Sequence, residues 1–135
     1  MSKVSLAIAV SKFNGDITSA MLKEALAHAK KKNARVAVVV EVPGAFEIPF
    51  ALSRLLARDD VDAAVALGSV IKGETKHDEV IMHAVCNQLS NLAVCYNKPI
   101  GLGITGPGIT EKQAKARIKD YARNAVEAAI CMTKI

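Results

Sequence analysis

The residues best suited to chemistry lie close together, in Gly68-Ser69-Val70-Ile71-Lys72-Gly73-Glu74-Thr75-Lys76-His77-Asp78-Glu79. His77 brings an imidazole that titrates near neutral pH and can give or take a proton. Gly73, Glu74 and Thr75 precede it, and apolar residues at helical spacing follow, so His77 falls at the start of a helix. Backbone N–H groups there lack intrahelical partners and carry the positive end of the helix dipole, a setting that holds phosphate. An imidazole within about one turn of a bound phosphate implies proton transfer on a phosphorylated substrate. Arg117, in the first turns of the last helix, adds a guanidinium fork of the kind that grips phosphate with two parallel bonds. His83 lies six residues beyond His77 and His28 on another helix, so the three do not share a face as metal ligands, and no metal is expected.

Strands and helices must alternate to position these groups. Val4 to Val10, Arg35 to Val40, Ala63 to Leu67 and Ile100 to Ile104 are short apolar runs that read as strands. The second has five apolar residues in six, which suits a strand buried on both faces. Between the runs come helices: one from Ile17 to Ala29 with Asp16 as its cap, one from about Pro49 to Ala57, and one from His77 to Tyr96. Thr110-Glu111-Lys112-Gln113 reads as a capping box opening the last helix, with Ala114, Ile118, Tyr121, Ala122, Ala125, Ala129 and Met132 as its apolar face. No repeat, linker or low-complexity segment interrupts the alternation, which predicts one domain over 1–135. Its architecture is a flavodoxin-like three-layer α/β/α fold with a four-stranded parallel sheet.

The helix from His77 carries Val80, Ile81, Met82, Val85, Leu89, Leu92, Ala93 and Val94, more than one face's worth of apolar residues. Such a helix is expected to be covered on a second side, most simply by another copy of the chain. Gly101-Leu102-Gly103-Ile104-Thr105-Gly106 spells a G-x-G-x-x-G pattern. Its first glycines fall inside a strand, and no strand with an acidic residue follows the helix, so it is not a dinucleotide site.

Composition narrows the function further. Hydrophobic residues make up 51% of the 135, but aromatics only 4%, which points to a core of Ala, Val, Ile and Leu. With three Phe, two Tyr and no Trp, a base-stacking platform is not expected, and the net charge of +5 reads as solubility plus attraction for phosphorylated substrates instead of nucleic-acid binding. No apolar run reaches the roughly 20 residues of a membrane span, and Met1-Ser2-Lys3 leads straight into a strand, so a cytoplasmic protein is expected. Cys86, Cys95 and Cys131 form no C-x-x-C pair and read as buried free thiols.

Three segments together carry a resemblance. Phe13-Asn14, Val42-Pro43-Gly44-Ala45-Phe46-Glu47-Ile48-Pro49 and Gly73-Glu74-Thr75-Lys76-His77 occur in the order found in the 6,7-dimethyl-8-ribityllumazine synthase family, over about Val4 to Met132. His77-Asp78-Glu79 resembles the archaeal branch in particular. The resemblance implies a condensation of 5-amino-6-(D-ribitylamino)uracil with 3,4-dihydroxy-2-butanone 4-phosphate, without a cofactor. It further implies that Phe13, Asn14, Ala45, Phe46, Glu47, Ser69, Val70, Ile71 and Leu102 surround the pyrimidine and its ribityl chain. Gly73, Glu74, Thr75 and Arg117 would hold the phosphate and His77 would move protons. Family members assemble at least as pentamers, and often as hollow shells of twelve pentamers, with active sites between subunits.

The chain also departs from the family pattern. Asp78 stands where many members carry an aromatic, and a carboxylate there is expected to favour the protonated form of His77. Leu102 replaces a common phenylalanine. The Gly106-Pro107-Gly108 loop is a residue longer than usual, and the family lysine near the pyrimidine carbonyl is missing or replaced by Arg123. Keeping both Phe13-Asn14 and the His77 motif argues against the related archaeal type of riboflavin synthase. The absence of a flavodoxin-like phosphate loop in Ser11 to Thr18 argues against a flavin-binding module, and retention of His77 and Arg117 argues against an inactive shell protein.

Overall fold

The computed structural model describes residues 3–135; Met1 and Ser2, on which part of the no-leader expectation rests, lie outside the described residues. The elements run β1 (Ser5–Ser11), α1 (Gly15–Lys31), β2 (Arg35–Val42), a 3-10 turn (Ala45–Glu47), α2 (Ile48–Leu56), β3 (Ala63–Ser69), α3 (His77–Tyr96), β4 (Ile100–Thr105), α4 (Glu111–Ala116) and α5 (Ile118–Met132). The strands form one parallel sheet in the order β2-β1-β3-β4. Helices cover both faces, giving the expected three-layer fold. Among the described residues, no helix is long and apolar enough to cross a membrane.

Strand periodicity divides the core in two. Leu6, Ile8, Val10, Val65 and Leu67 point to one face and pack with Ile17, Met21 and Ala25 of α1 and Ala122 and Val126 of α5. Ala7, Ala9, Ala64 and Ala66 point to the other, where Ile48, Leu52 and Leu56 of α2 and Met82, Val85 and Leu89 of α3 fill the space the alanines leave. Central β1 and β3 are buried along their whole lengths. β2 is not: it is an edge strand, mostly half-buried, with Val39 at 38% exposure. Its run of valines matches a fully buried strand in composition, but strand order leaves one side open.

The glycines of β4 explain the dinucleotide-like pattern. A Cβ on Gly101 would fall 1.9 Å from the Ala125 carbonyl oxygen, and one on Gly103 would fall 2.7 Å from the Leu67 side chain and 3.0 Å from Ala125 Cβ. Both glycines therefore let α5 lie directly against β4. Gly106, at φ +114, turns the chain close to the Val70 carbonyl.

Helix ends depart from expectation at two points. Asn14, not Asp16, precedes α1; it adopts the left-handed conformation (φ 60, ψ 47), and Asp16 sits inside the first turn. The last helix is broken at Arg117 (φ −104, ψ 5), which ends α4 and begins α5. The capping box forms as expected: Gln113 N–H donates to Thr110 Oγ1 at 3.2 Å, and Thr110 N–H donates to Gln113 Oε1 at 2.9 Å. On α3, Met82, Val85 and Leu89 are buried, whereas Val80 (64%) and Val94 (80%) lie on the open outer face.

The thiols also differ from the sequence reading, since Cys95 and Cys131 are exposed and Cys86 is only half-buried. Desolvation pushes the Cys86 thiol up. Labelling with a disulfide reagent near pH 8 should modify Cys95 and Cys131 first and Cys86 last; a fast-reacting Cys86 would contradict this packing. Gly101→Ala should separate β4 from α5 and destabilise the fold by about 3 kcal/mol or more, the upper end of overpacking effects, seen as a lower urea midpoint.

Candidate active site

In this strand order the chain leaves β1 toward β2 on one side and enters β3 on the other. The carboxyl ends of β1 and β3 therefore flank a crevice, where open α/β sheets bind ligands. Asn14 spans it. Its left-handed backbone turns the amide inward, and Nδ2 donates to the Ser69 carbonyl at 2.8 Å. Lys12 N–H donates to the Val42 carbonyl at 2.7 Å and Phe13 N–H to the Pro43 carbonyl at 3.0 Å. These bonds draw the β1–α1 loop against the β2–α2 turn, so Phe13 shares one cleft with Ala45 and Phe46.

That cleft encloses about 670 Å³, a size suited to a small molecule. Phe13 (70% exposed) and Phe46 (61% exposed) present two rings to it, an apolar surface for a flat heterocycle. Ala45, Asn14, Ser69, Val70 and Ile71 line it, and Gly73, Thr75 and His77 stand along the same wall. Below it, Thr105 Oγ1 and Ser69 Oγ, both buried, are hydrogen-bonded at 2.8 Å, while Ser11 Oγ is buried without a partner. Ser69 thus bonds to another hydroxyl instead of a base, an arrangement that does not activate a serine for attack.

The β3–α3 loop is held from the β4 side. Val70 N–H donates to the Thr105 carbonyl and Lys72 N–H to the Ile109 carbonyl, both at 2.8 Å. His77 N–H donates to Thr75 Oγ1 at 3.3 Å, which ties the Gly73–Thr75 stretch to the first turn of α3. Asp78 is not turned to its neighbour His77; its carboxylate accepts from Gly108 N–H at 2.8 Å.

Four expected residues stand apart from this cleft. Glu47 Oε1 accepts from Gly44 N–H at 2.9 Å and caps the 3-10 turn. The Glu74 side chain is exposed beside the cleft without lining it. Leu102 (48% exposed) faces the α3 side of β4, in a groove with Cys86 and Ser90. Arg117 is exposed at the α4–α5 break, donating from Nη1 to the Gln113 carbonyl at 3.2 Å. Arg123, the residue that could have stood in for the family lysine, faces Glu24 of α1 at 3.4 Å.

Conversely, Gly44, Asp78, Ile81 and Glu111 line the cleft without having been singled out as ligands. Ile81 lies four residues after His77 and shares its helical face, a spacing legible in the sequence. Glu111 comes from the start of α4, where only the tertiary fold brings it in. Its carboxylate is 3.1 Å from Lys115 Nζ, and that ammonium is also 3.6 Å from the Asp16 carboxylate. The Glu111 hydrogen bond, then the charges of Glu111 and Asp16, raise the Lys115 pKa. A second hollow, about 730 Å³, lies at the opposite edge beside Val4, Asp62 and Pro99; its Lys98 ammonium is already bonded to the Leu56 and Arg58 carbonyls.

Fold and cleft thus define a doubly wound α/β protein whose cleft, at the carboxyl edge of the sheet, is lined by Phe13, Phe46, Gly73, Thr75 and His77. The family model described as 6,7-dimethyl-8-ribityllumazine synthase matches residues 3–135. Proteins of that name from Metallosphaera sedula (53% identical over 98% of this chain and 88% of the relative) and Staphylothermus marinus (53%, over 91% and 82%) are similar to it. So is one from Sulfolobus acidocaldarius (49%, over 98% and 84%). The chain belongs to the 6,7-dimethyl-8-ribityllumazine synthase family.

Asn14→Gly keeps the left-handed turn but removes the bond across the crevice. It should cost about 1 kcal/mol in stability, measured by urea unfolding, whereas Asn14→Ala should cost more because alanine strains that backbone.

Proposed function

We propose that this chain condenses 5-amino-6-(D-ribitylamino)uracil with 3,4-dihydroxy-2-butanone 4-phosphate to 6,7-dimethyl-8-ribityllumazine, releasing phosphate and water, the penultimate step of riboflavin biosynthesis. The observation that carries this reading is that Phe13, Phe46, the Gly73–Thr75 stretch and His77 meet in one cleft although they come from three separate loops. The pyrimidine stacks on Phe13 and meets the backbone of Ala45, Phe46, Ser69, Val70 and Ile71. Asn14 lies beside the ribityl chain, and the Glu47 oxygen not used by Gly44 accepts from its hydroxyls. Backbone groups of Gly73, Glu74 and Thr75, at the positive end of α3, hold the phosphate.

The primary amine attacks the ketone carbonyl, and loss of water leaves an imine. Phosphate is then eliminated, leaving an enol at the hydroxyl-bearing carbon; the enol tautomerises to a carbonyl, and the ribityl-bearing nitrogen closes on it with loss of a second water. Each step needs protons moved at carbon, nitrogen or oxygen, the task given to His77. Holding two substrates in register supplies the rest of the acceleration. No covalent enzyme intermediate, metal or cofactor is required.

Leu102 and Arg117 do not line their own cleft, so we propose that they complete that of an adjacent subunit, Leu102 against the pyrimidine and Arg117 on the phosphate. The exposed apolar side chains of Phe50, Val80 and Val94 support an assembly, a pentamer or a shell of pentamers, which native mass would distinguish. The cytoplasm is the proposed setting, where the free thiols stay reduced.

Purified protein mixed with both substrates and a chelator should form the lumazine above the uncatalysed rate, followed by absorbance and chromatography. No product, with riboflavin formed from added lumazine instead, would assign the related synthase activity; silence in both assays would overturn an enzymatic role. His77→Ala should lower turnover at least about tenfold, while Arg117→Ala should raise the KM of the phosphorylated substrate about tenfold or more. Co-assembly of these two variants should restore part of the activity, because some sites then combine an intact His77 with an intact Arg117; no recovery would sink the shared site.

A further inference from the structure

Asp78 is 5% exposed, although His77 and Glu79 on either side of it are exposed. A carboxylate out of water needs strong partners. It has the first turn of α3, whose dipole favours negative charge, and the Gly108 N–H at 2.8 Å. Gly108 belongs to a glycine-containing loop in which Gly106 and Gly108 both have positive φ, +114 and +73. The next residue, Ile109, accepts from Lys72 N–H at 2.8 Å. Two consecutive residues, Gly108 and Ile109, therefore hold the two ends of the stretch that contains Gly73, Glu74 and Thr75, Lys72 at its entrance and Asp78 at its exit. Within the stretch the His77 N–H to Thr75 Oγ1 bond is longer, at 3.3 Å, and the space beside Gly73 is open, since a Cβ there would have no neighbour within 4 Å.

Resting on the reading above, we propose that Asp78 is a positioning residue: through Gly108 it sets the span of the Gly73–Thr75 loop to fit a phosphate group. One oxygen of its carboxylate, Oδ2, is engaged by the Gly108 N–H of the bracing loop, so its charge serves that tie. A charge-assisted bond of this kind is about twice as strong as a neutral one.

The test compares wild type with Asp78→Ala and Asp78→Asn in their assembled form, with folding checked by circular dichroism and native mass. Inorganic phosphate binding is measured by calorimetry, and KM for each substrate in turnover. Asp78→Ala should weaken phosphate binding and raise the KM of the phosphorylated substrate about tenfold or more, with the KM of the pyrimidine changed by less than about twofold. Asp78→Asn, whose amide oxygen still accepts from Gly108 N–H, should recover most of the loss. Should the alanine variant not fold, Asp78→Ser, too short to reach Gly108, makes the same comparison. Unchanged phosphate affinity, equal losses for both substrates, an asparagine variant as weak as alanine, or a wild type that binds no phosphate would each overturn the proposal. Because the phosphate measurement needs no turnover, it decides the role of Asp78 even if the wild-type protein makes no lumazine.

Discussion

Parallel strands cannot be joined by tight turns; each return requires a crossover, and all the loops that follow strands then gather at one edge of the sheet. The arrangement of this molecule depends on that constraint. It brings Phe13 and Asn14 after β1, Ala45 and Phe46 after β2, and Gly73, Thr75 and His77 after β3 to a common edge. The reversal of direction between β1 and β3 opens the crevice, and Asn14 closes its floor. Main-chain bonds from Lys12, Phe13, Val70 and Lys72 then fasten neighbouring loops to one another, so the cleft walls are set by backbone more than by side chains. Walls of that kind suit a reaction whose acceleration comes mainly from holding two partners in register.

Much of this was legible in the sequence, for physical reasons. Strands and crossover helices differ in apolar period, and a chain that alternates between them has few topologies open to it. His77 and Gly73–Thr75 are neighbours in sequence, so their proximity needed no fold. What could not be read depends on non-local facts. The valines of β2 have the composition of a buried strand, and only the order β2-β1-β3-β4 exposes one side. The apolar period runs without interruption across Arg117, yet the backbone breaks there. Asp78 follows His77 in sequence, which suggests a pair, but successive residues on a helix point about 100° apart. Its partner lies thirty residues on, in a loop that sequence alone does not bring near.

Leu102 and Arg117 show the limit of reading one chain alone. Both were expected at the site, and both sit on the surface away from the cleft. Exposed large side chains are ordinary one at a time, but here they occur on β4, on the outer face of α3 and on α2. A site divided between subunits would couple assembly to activity.

The bare face of β4 has a mechanical consequence. With Gly101 and Gly103 offering no side chain toward α5, backbone rests on helix with no deformable layer between, and strand and helix move as one body. Leu102 stands on the opposite face of that body, at the edge of the sheet. It is therefore carried on a stiff plate, and whatever packs against it must adapt its own shape, because the edge strand has no slack to give.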